Sequence, residues 1–77
     1  MFSLSFVIQN YRSRIAAAQS TADLYKLVAV IAETFEKPVP TRSWDEEGHQ
    51  FVGSDNHLER QYASLMLCAA ERWDAVA

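Results

Sequence analysis

The side chains that could perform chemistry gather in one stretch of the chain. His49 and His57 lie among Asp45, Glu46, Glu47, Asp55 and Glu59. A metal needs several deprotonated ligands converging from fixed positions. The two imidazoles fit no HExxH, EF-hand or zinc-finger spacing, so they are expected to be solvent-side histidines with no metal. The carboxylates at 45–47 could serve a glycosidase only inside a cleft. A chain of 77 residues has an expected radius of gyration of about 11–12 Å, too small for a deep one. Cys68, between Leu67 and Ala69, has neither a neighbouring base nor an electropositive setting, and reads as a packed side chain. The serines form no GxSxG, and Gly48 and Gly53 form no phosphate-cradling loop. No catalytic residue and no cofactor is expected.

Composition narrows the class further. Hydrophobic residues make up 49% and charged residues 22%, with only two Gly and two Pro, which argues for a folded core over disorder. One domain spanning 1–77 is what this length allows. A single cysteine excludes an internal disulfide and fits a reducing, cytoplasmic setting. No apolar run approaches the ~20 residues of a membrane span. The apolar start from Met1 to Ile8 has no basic residue ahead of it, and Gln9–Arg12 end it too soon for a signal core.

The formal net charge is −3, with seven scattered Lys and Arg. Direct nucleic-acid binding requires clustered cations, so it is not expected. The acidic residues do cluster, and Asp45, Glu46, Glu47, Asp55 and Glu59 could form a patch facing a basic protein partner. The plainer reading is a solvated loop that keeps the chain soluble.

Three amphipathic helices must position these groups. Leu4, Val7, Ile8, Tyr11 and Ile15 follow one face of a 3.6-residue period, with Ser3 as cap. Leu24, Leu27, Val28, Ile31 and Phe35 repeat that pattern after Ser20, whose spacing to Asp23 resembles a capping box. The short turn between them makes an αα-hairpin, and Pro38 stops the second helix near Glu36. Leu58, Tyr62, Leu65, Met66, Ala69, Trp73 and Val76 define a third helix, with Asn56 as a cap and Ser54 and Asp55 as rival starts. The fold class is therefore all-α, a three-helix bundle with a long, partly ordered loop at 37–53. That loop carries Val39, Trp44, Phe51 and Val52, which should pin it over the open side of the helix pair. Ser43 to Glu46 has capping-box spacing and Gly48 could end a turn, giving a short helix at 44–47. The alternative is a hairpin pairing 41–44 with 49–52.

Each helix also carries one large apolar residue off its main stripe. Phe6 lies about 200° from Leu4, Val30 falls between Asp23 and Lys26, and Leu67 shares a face with Arg60, Ser64, Glu71 and Asp74. Isolated exposed apolar residues are ordinary, but three together could form a second contact surface for a partner or a homodimer. Tyr11, Tyr25, Tyr62, Trp44 and Trp73 supply aromatic types that anchor interfaces, and Tyr25 should sit available at a core edge.

Small size, acidic balance, a free-standing domain and no catalytic signature together resemble the phage- or plasmid-encoded inhibitors, among them the anti-CRISPR proteins. The resemblance lies at the level of class and transfers no individual residue. It implies a non-catalytic protein that blocks a basic, nucleic-acid-binding surface of a host complex such as a CRISPR surveillance complex. A homo-oligomeric regulatory or structural subunit using Phe6, Val30 and Leu67 is the second reading. A metal-dependent enzyme or sensor using His49 and His57 is the third.

Overall fold

The structure, a computed structural model, describes residues 3–41 and 43–77. Met1, Phe2 and Arg42, which entered the signal-core, charge and hairpin readings above, lie outside the described residues. Four helices follow one another: α1 (Leu4–Ala17), α2 (Thr21–Thr34), α3 (Trp44–Phe51) and α4 (His57–Val76). Among the described residues there is no strand, and no helix is long and apolar enough to cross a membrane. The Cα radius of gyration is 11.6 Å.

Three helix starts are capped as their sequences require. Ser3 Oγ accepts from the Phe6 amide, Ser20 Oγ from the Asp23 amide, and Asn56 Oδ1 from the Leu58 and Glu59 amides. Each cap satisfies donors that the helix itself leaves orphaned. α1 ends when Ala18 turns extended, and the freed Ala18 carbonyl accepts from Arg72 Nε (3.0 Å) and Nη2 (2.8 Å). A side chain from α4 therefore closes the C-terminus of α1.

α2 ends at Thr34, two residues before the expected stop. Glu36 adopts φ 57°, with its amide donating to Glu33 and the Lys37 amide donating to Ala32. This is the Schellman arrangement, so the helix is terminated by a left-handed residue before Pro38 can act. Glycine is favoured at that position, and here glutamate occupies it.

α4 packs against each of the other three helices, and α1 packs on α2. The core joins Ile8, Tyr11 and Ile15 of α1 to Leu24, Val28, Ile31 and Ala32 of α2. Trp44 from α3 and Tyr62, Leu65, Met66 and Ala69 from α4 complete it. Tyr11 and Thr34 share a hydroxyl hydrogen bond of 2.6 Å that ties α1 to α2. Leu58, expected in the core stripe, is exposed, because it sits in the first turn of α4 ahead of the buried run that begins at Tyr62.

The described part of 37–53 is more regular than its sequence suggested. Instead of one turn or a hairpin it holds the eight-residue α3. Gly48, expected to end the turn, lies buried inside that helix. A Cβ there would lie 2.6 Å from Leu67 Cγ, 2.7 Å from Leu67 Cδ2 and 3.1 Å from the Ala63 carbonyl oxygen. The glycine thus permits α3 to approach α4 closely, and tertiary packing extends the helix across a residue of poor helix propensity. Trp44 and Phe51 anchor the segment as expected, whereas Val39 and Val52 remain exposed. Ser43 makes no side-chain cap bond to the helix backbone, and its hydroxyl serves the Asp45 carboxylate instead.

Candidate partner-binding groove

The five acidic residues picked out by sequence do not form one patch. Glu47 is buried on the inner side of α3. Its alternation with Asp45 and Glu46 follows from the helical period, which turns one residue in every three or four toward α4. Glu59 is drawn into an ion pair with Lys37 Nζ and also accepts from Ser54 Oγ at 2.7 Å. Those two partners hold its carboxyl below the ordinary carboxylate range. The same Lys37 ammonium lies 4.5 Å from the Phe51 ring centroid, so this cluster clasps the end of α2 to the α3–α4 turn. Asp45 and Glu46 remain exposed at the start of α3, and Asp55 is exposed beyond its far end. The helix between them rises about 10 Å, which separates the two groups.

The off-stripe apolar residues also divide. Phe6 is 56% exposed and Val30 is 44% exposed. Leu67 is largely covered by α3, whose Gly48 it contacts, so it does not belong to a free apolar face with them. A helical wheel cannot anticipate this, because the covering helix arises from a segment whose pattern read as a loop.

Between α3 and α4 the described residues line a groove of about 870 Å³. Its floor comes from Leu67, Ala70, Glu71 and Asp74 of α4, which stand at i, i+3, i+4 and i+7 and so share one helical face. Asp45 and His49 of α3, one turn apart, form the facing wall, and residues Pro40, Thr41 and Ser43 form the rim. At one side stand three aromatic rings. Tyr25 meets Trp44 at 5.5 Å and 77°, Tyr25 meets Trp73 at 5.3 Å and 83°, and Trp44 meets Trp73 at 5.3 Å and 89°. Such mutually edge-on packing places positive ring edges against negative faces. Trp44 is buried and Trp73 half-buried, while Tyr25 remains 60% exposed. Two indoles therefore hold an exposed tyrosine upright at the side of the groove.

Among the described residues, the carboxylates lining the groove, Asp45, Glu71 and Asp74, meet no lysine or arginine there. Among the described residues no lysine or arginine pairs with these carboxylates. Asp45 is held below the ordinary range by the Ser43 hydroxyl first, then by amides at the helix start and by His49. Glu71 and Asp74 were not picked out by sequence, because they lie far along the chain from Asp45. Their shared face with Leu67 was the available signal, and only the position of α3 makes it one wall of a groove.

The remaining sequence candidates fall elsewhere. His57 lines a separate depression of about 360 Å³ with Leu4, Ile8, Arg12 and Gln61, so the structure does not bring His49 and His57 together. Among the described residues no group of three or more His, Cys, Asp or Glu is arranged to hold a metal ion. Cys68 is half-buried and burial pushes its thiol upward, the opposite of an activated nucleophile. Comparison with known protein families, with curated proteins and with solved structures returns no match.

Proposed function

We propose that this chain is a non-catalytic, cytoplasmic protein-binding domain that acts by occupying a basic surface of another protein. The observation that carries the reading is the groove between α3 and α4, where an exposed tyrosine backed by two tryptophans adjoins three carboxylates that pair with no described lysine or arginine. Aromatic anchors beside a charged rim are the ordinary composition of an interface. The carboxylates would compete with phosphates for the partner's Lys and Arg, which makes inhibition of a nucleic-acid-binding complex the natural role. That role is the one implied by the resemblance to phage inhibitors of the anti-CRISPR type. The working surface is then Asp45, Glu71 and Asp74 with Tyr25, and Glu46 lies beside it at the start of α3.

The test uses the intact chain as bait in host extract, beside a variant carrying Asp45→Lys, Glu71→Lys and Asp74→Lys. A basic protein should be retained by the wild type, released as salt rises from about 0.1 to 0.5 M, and not retained by the variant. The purified partner should lose nucleic-acid binding when the wild-type chain is added. Retention of the same partner by the folded variant, with the same salt profile, would remove the reading.

A homo-oligomeric subunit is the second reading, favoured by the exposure of Phe6 and Val30. A mass in solution above that of one chain, reduced by Val30→Asp, would move the balance toward it.

A further inference from the structure

The groove also specifies which cation it suits, an inference that rests on the reading above. We infer that it seats an arginine side chain of an extended segment of the partner, with the guanidinium stacked on Tyr25 and its edge turned to the carboxylates on α4.

Tyr25 supplies a platform. It is mostly exposed, yet its edge contacts with Trp44 and Trp73 fix its orientation, so little ordering remains to be done on binding. A planar guanidinium stacks on such a ring and at the same time presents several donors in its plane. The carboxylates of Glu71 and Asp74, three residues apart on α4, stand on the face that forms the floor. A guanidinium lies flat on the ring and keeps its in-plane donors free for two carboxylates, whereas an ammonium divides one compact charge between ring and carboxylate, as Lys37 does between Phe51 and Glu59. Ala70 and the part of Leu67 that α3 leaves uncovered give the floor an apolar spot for the methylene stem of the same side chain. The groove runs from α4 to Pro40 and Thr41, which leaves room for neighbouring residues of the segment. Charge complementarity therefore favours a basic segment, and a flat, exposed ring beside the carboxylates favours arginine within it.

Both tryptophans of the chain, Trp44 and Trp73, belong to this cluster, so intrinsic fluorescence reports on the groove without a label. Three unstructured dodecapeptides are titrated into the intact protein, identical except that each carries three arginines, three lysines or three citrullines. The arginine peptide should shift the emission and the Trp73 indole N–H resonance, binding at least tenfold more tightly than the citrulline peptide and several-fold more tightly than the lysine peptide. Asp74→Asn and Tyr25→Leu should each weaken the arginine peptide at least fivefold, and Tyr25→Phe should leave it within twofold. Circular dichroism of each variant confirms that the helices persist.

Equal binding of the arginine and citrulline peptides, no binding of either, or binding that leaves the Trp73 resonance unmoved would overturn the inference. So would an unchanged affinity in a folded Tyr25→Leu variant. Loss of the host partner on triple charge reversal, alongside any of those results, would leave the broader reading standing while this inference fell. Retention of that partner would end both.

Discussion

Gly48→Ala separates helix propensity from tertiary packing more sharply than any other substitution in this chain. In a free helix the change should stabilise by about 1 kcal/mol, because alanine loses less backbone entropy than glycine. In the folded protein the added methyl would lie 2.6 Å from Leu67 Cγ and 2.7 Å from Cδ2, with the Ala63 carbonyl oxygen 3.1 Å away. Carbon atoms rest at about 3.5–4.0 Å, so the contact is short by roughly 1 Å. Rotation of Leu67 relieves only part of this, because the Ala63 backbone oxygen is also tight and α3 must give by a few tenths of an ångström. Overpacking of this kind costs about 1–3 kcal/mol, and the movement also disturbs Trp44, which fastens the start of α3 to the aromatic cluster. The net expectation is a loss of up to about 2 kcal/mol, or up to roughly 15 °C in Tm for a domain of this size. Thermal and urea unfolding followed by circular dichroism measure it. Leu67→Ala costs stability by itself, but combined with Gly48→Ala it should recover about 1 kcal/mol relative to the sum of the single changes. A Gly48→Ala protein that is more stable than the wild type would refute the close approach of α3 to α4 and the covering of Leu67 that follows from it.

Three further predictions concern the core and the ends of helices. Tyr62 is fully buried between the Phe35 and Phe51 rings, and its hydroxyl has no hydrogen-bond partner among the described residues, so Tyr62→Phe should be neutral or stabilising by about 1 kcal/mol. Burial first and the Glu47 charge second push that phenol up to about 12. The unfolded chain ionises near its ordinary value of about 10, so wild-type stability should fall by up to about 3 kcal/mol between pH 10 and 12 relative to Tyr62→Phe, and parallel pH curves would contradict this. Glu36→Gly should raise Tm by a few degrees, because relief of about 1–2 kcal/mol of left-handed strain exceeds the added flexibility of the unfolded chain; a lower Tm would contradict the Schellman ending. The Glu59 carboxyl is depressed by Lys37 and Ser54, so its contribution is present above the unfolded value near 4.5 and is lost as pH falls through the lower folded value. Acid unfolding curves of wild type and Glu59→Gln should therefore stand apart above the ordinary value of 4.5 and draw together as pH falls below it, and curves that stay equally separated would count against the clasp.

Much of the fold was legible in one dimension, because its determinants are local. The stripes at Ile8, Tyr11 and Ile15, at Leu24, Val28 and Ile31, and at Tyr62, Leu65, Met66 and Ala69 are all buried. The caps at Ser3, Ser20 and Asn56 depend only on a hydroxyl or amide within three residues of the amides it serves. The site was far less legible. Glu47 shares its residue type with Glu46, yet one is buried and the other exposed. That difference follows from which side of α3 meets α4. Glu59 was expected at a surface and was taken up by Lys37, which lies 22 residues away.

What the chain determined by itself was therefore its helices, their caps and its acidic balance, since these follow from periodicity and from contacts within one turn. Only the tertiary structure decided that α3 spans eight residues across a glycine and that this glycine lets it lie against Leu67. Only packing set Tyr25, Trp44 and Trp73 edge to edge beside Asp45, Glu71 and Asp74. The physical reason is that a groove is a relation between helices, and no periodicity along one helix encodes which face of another will stand opposite.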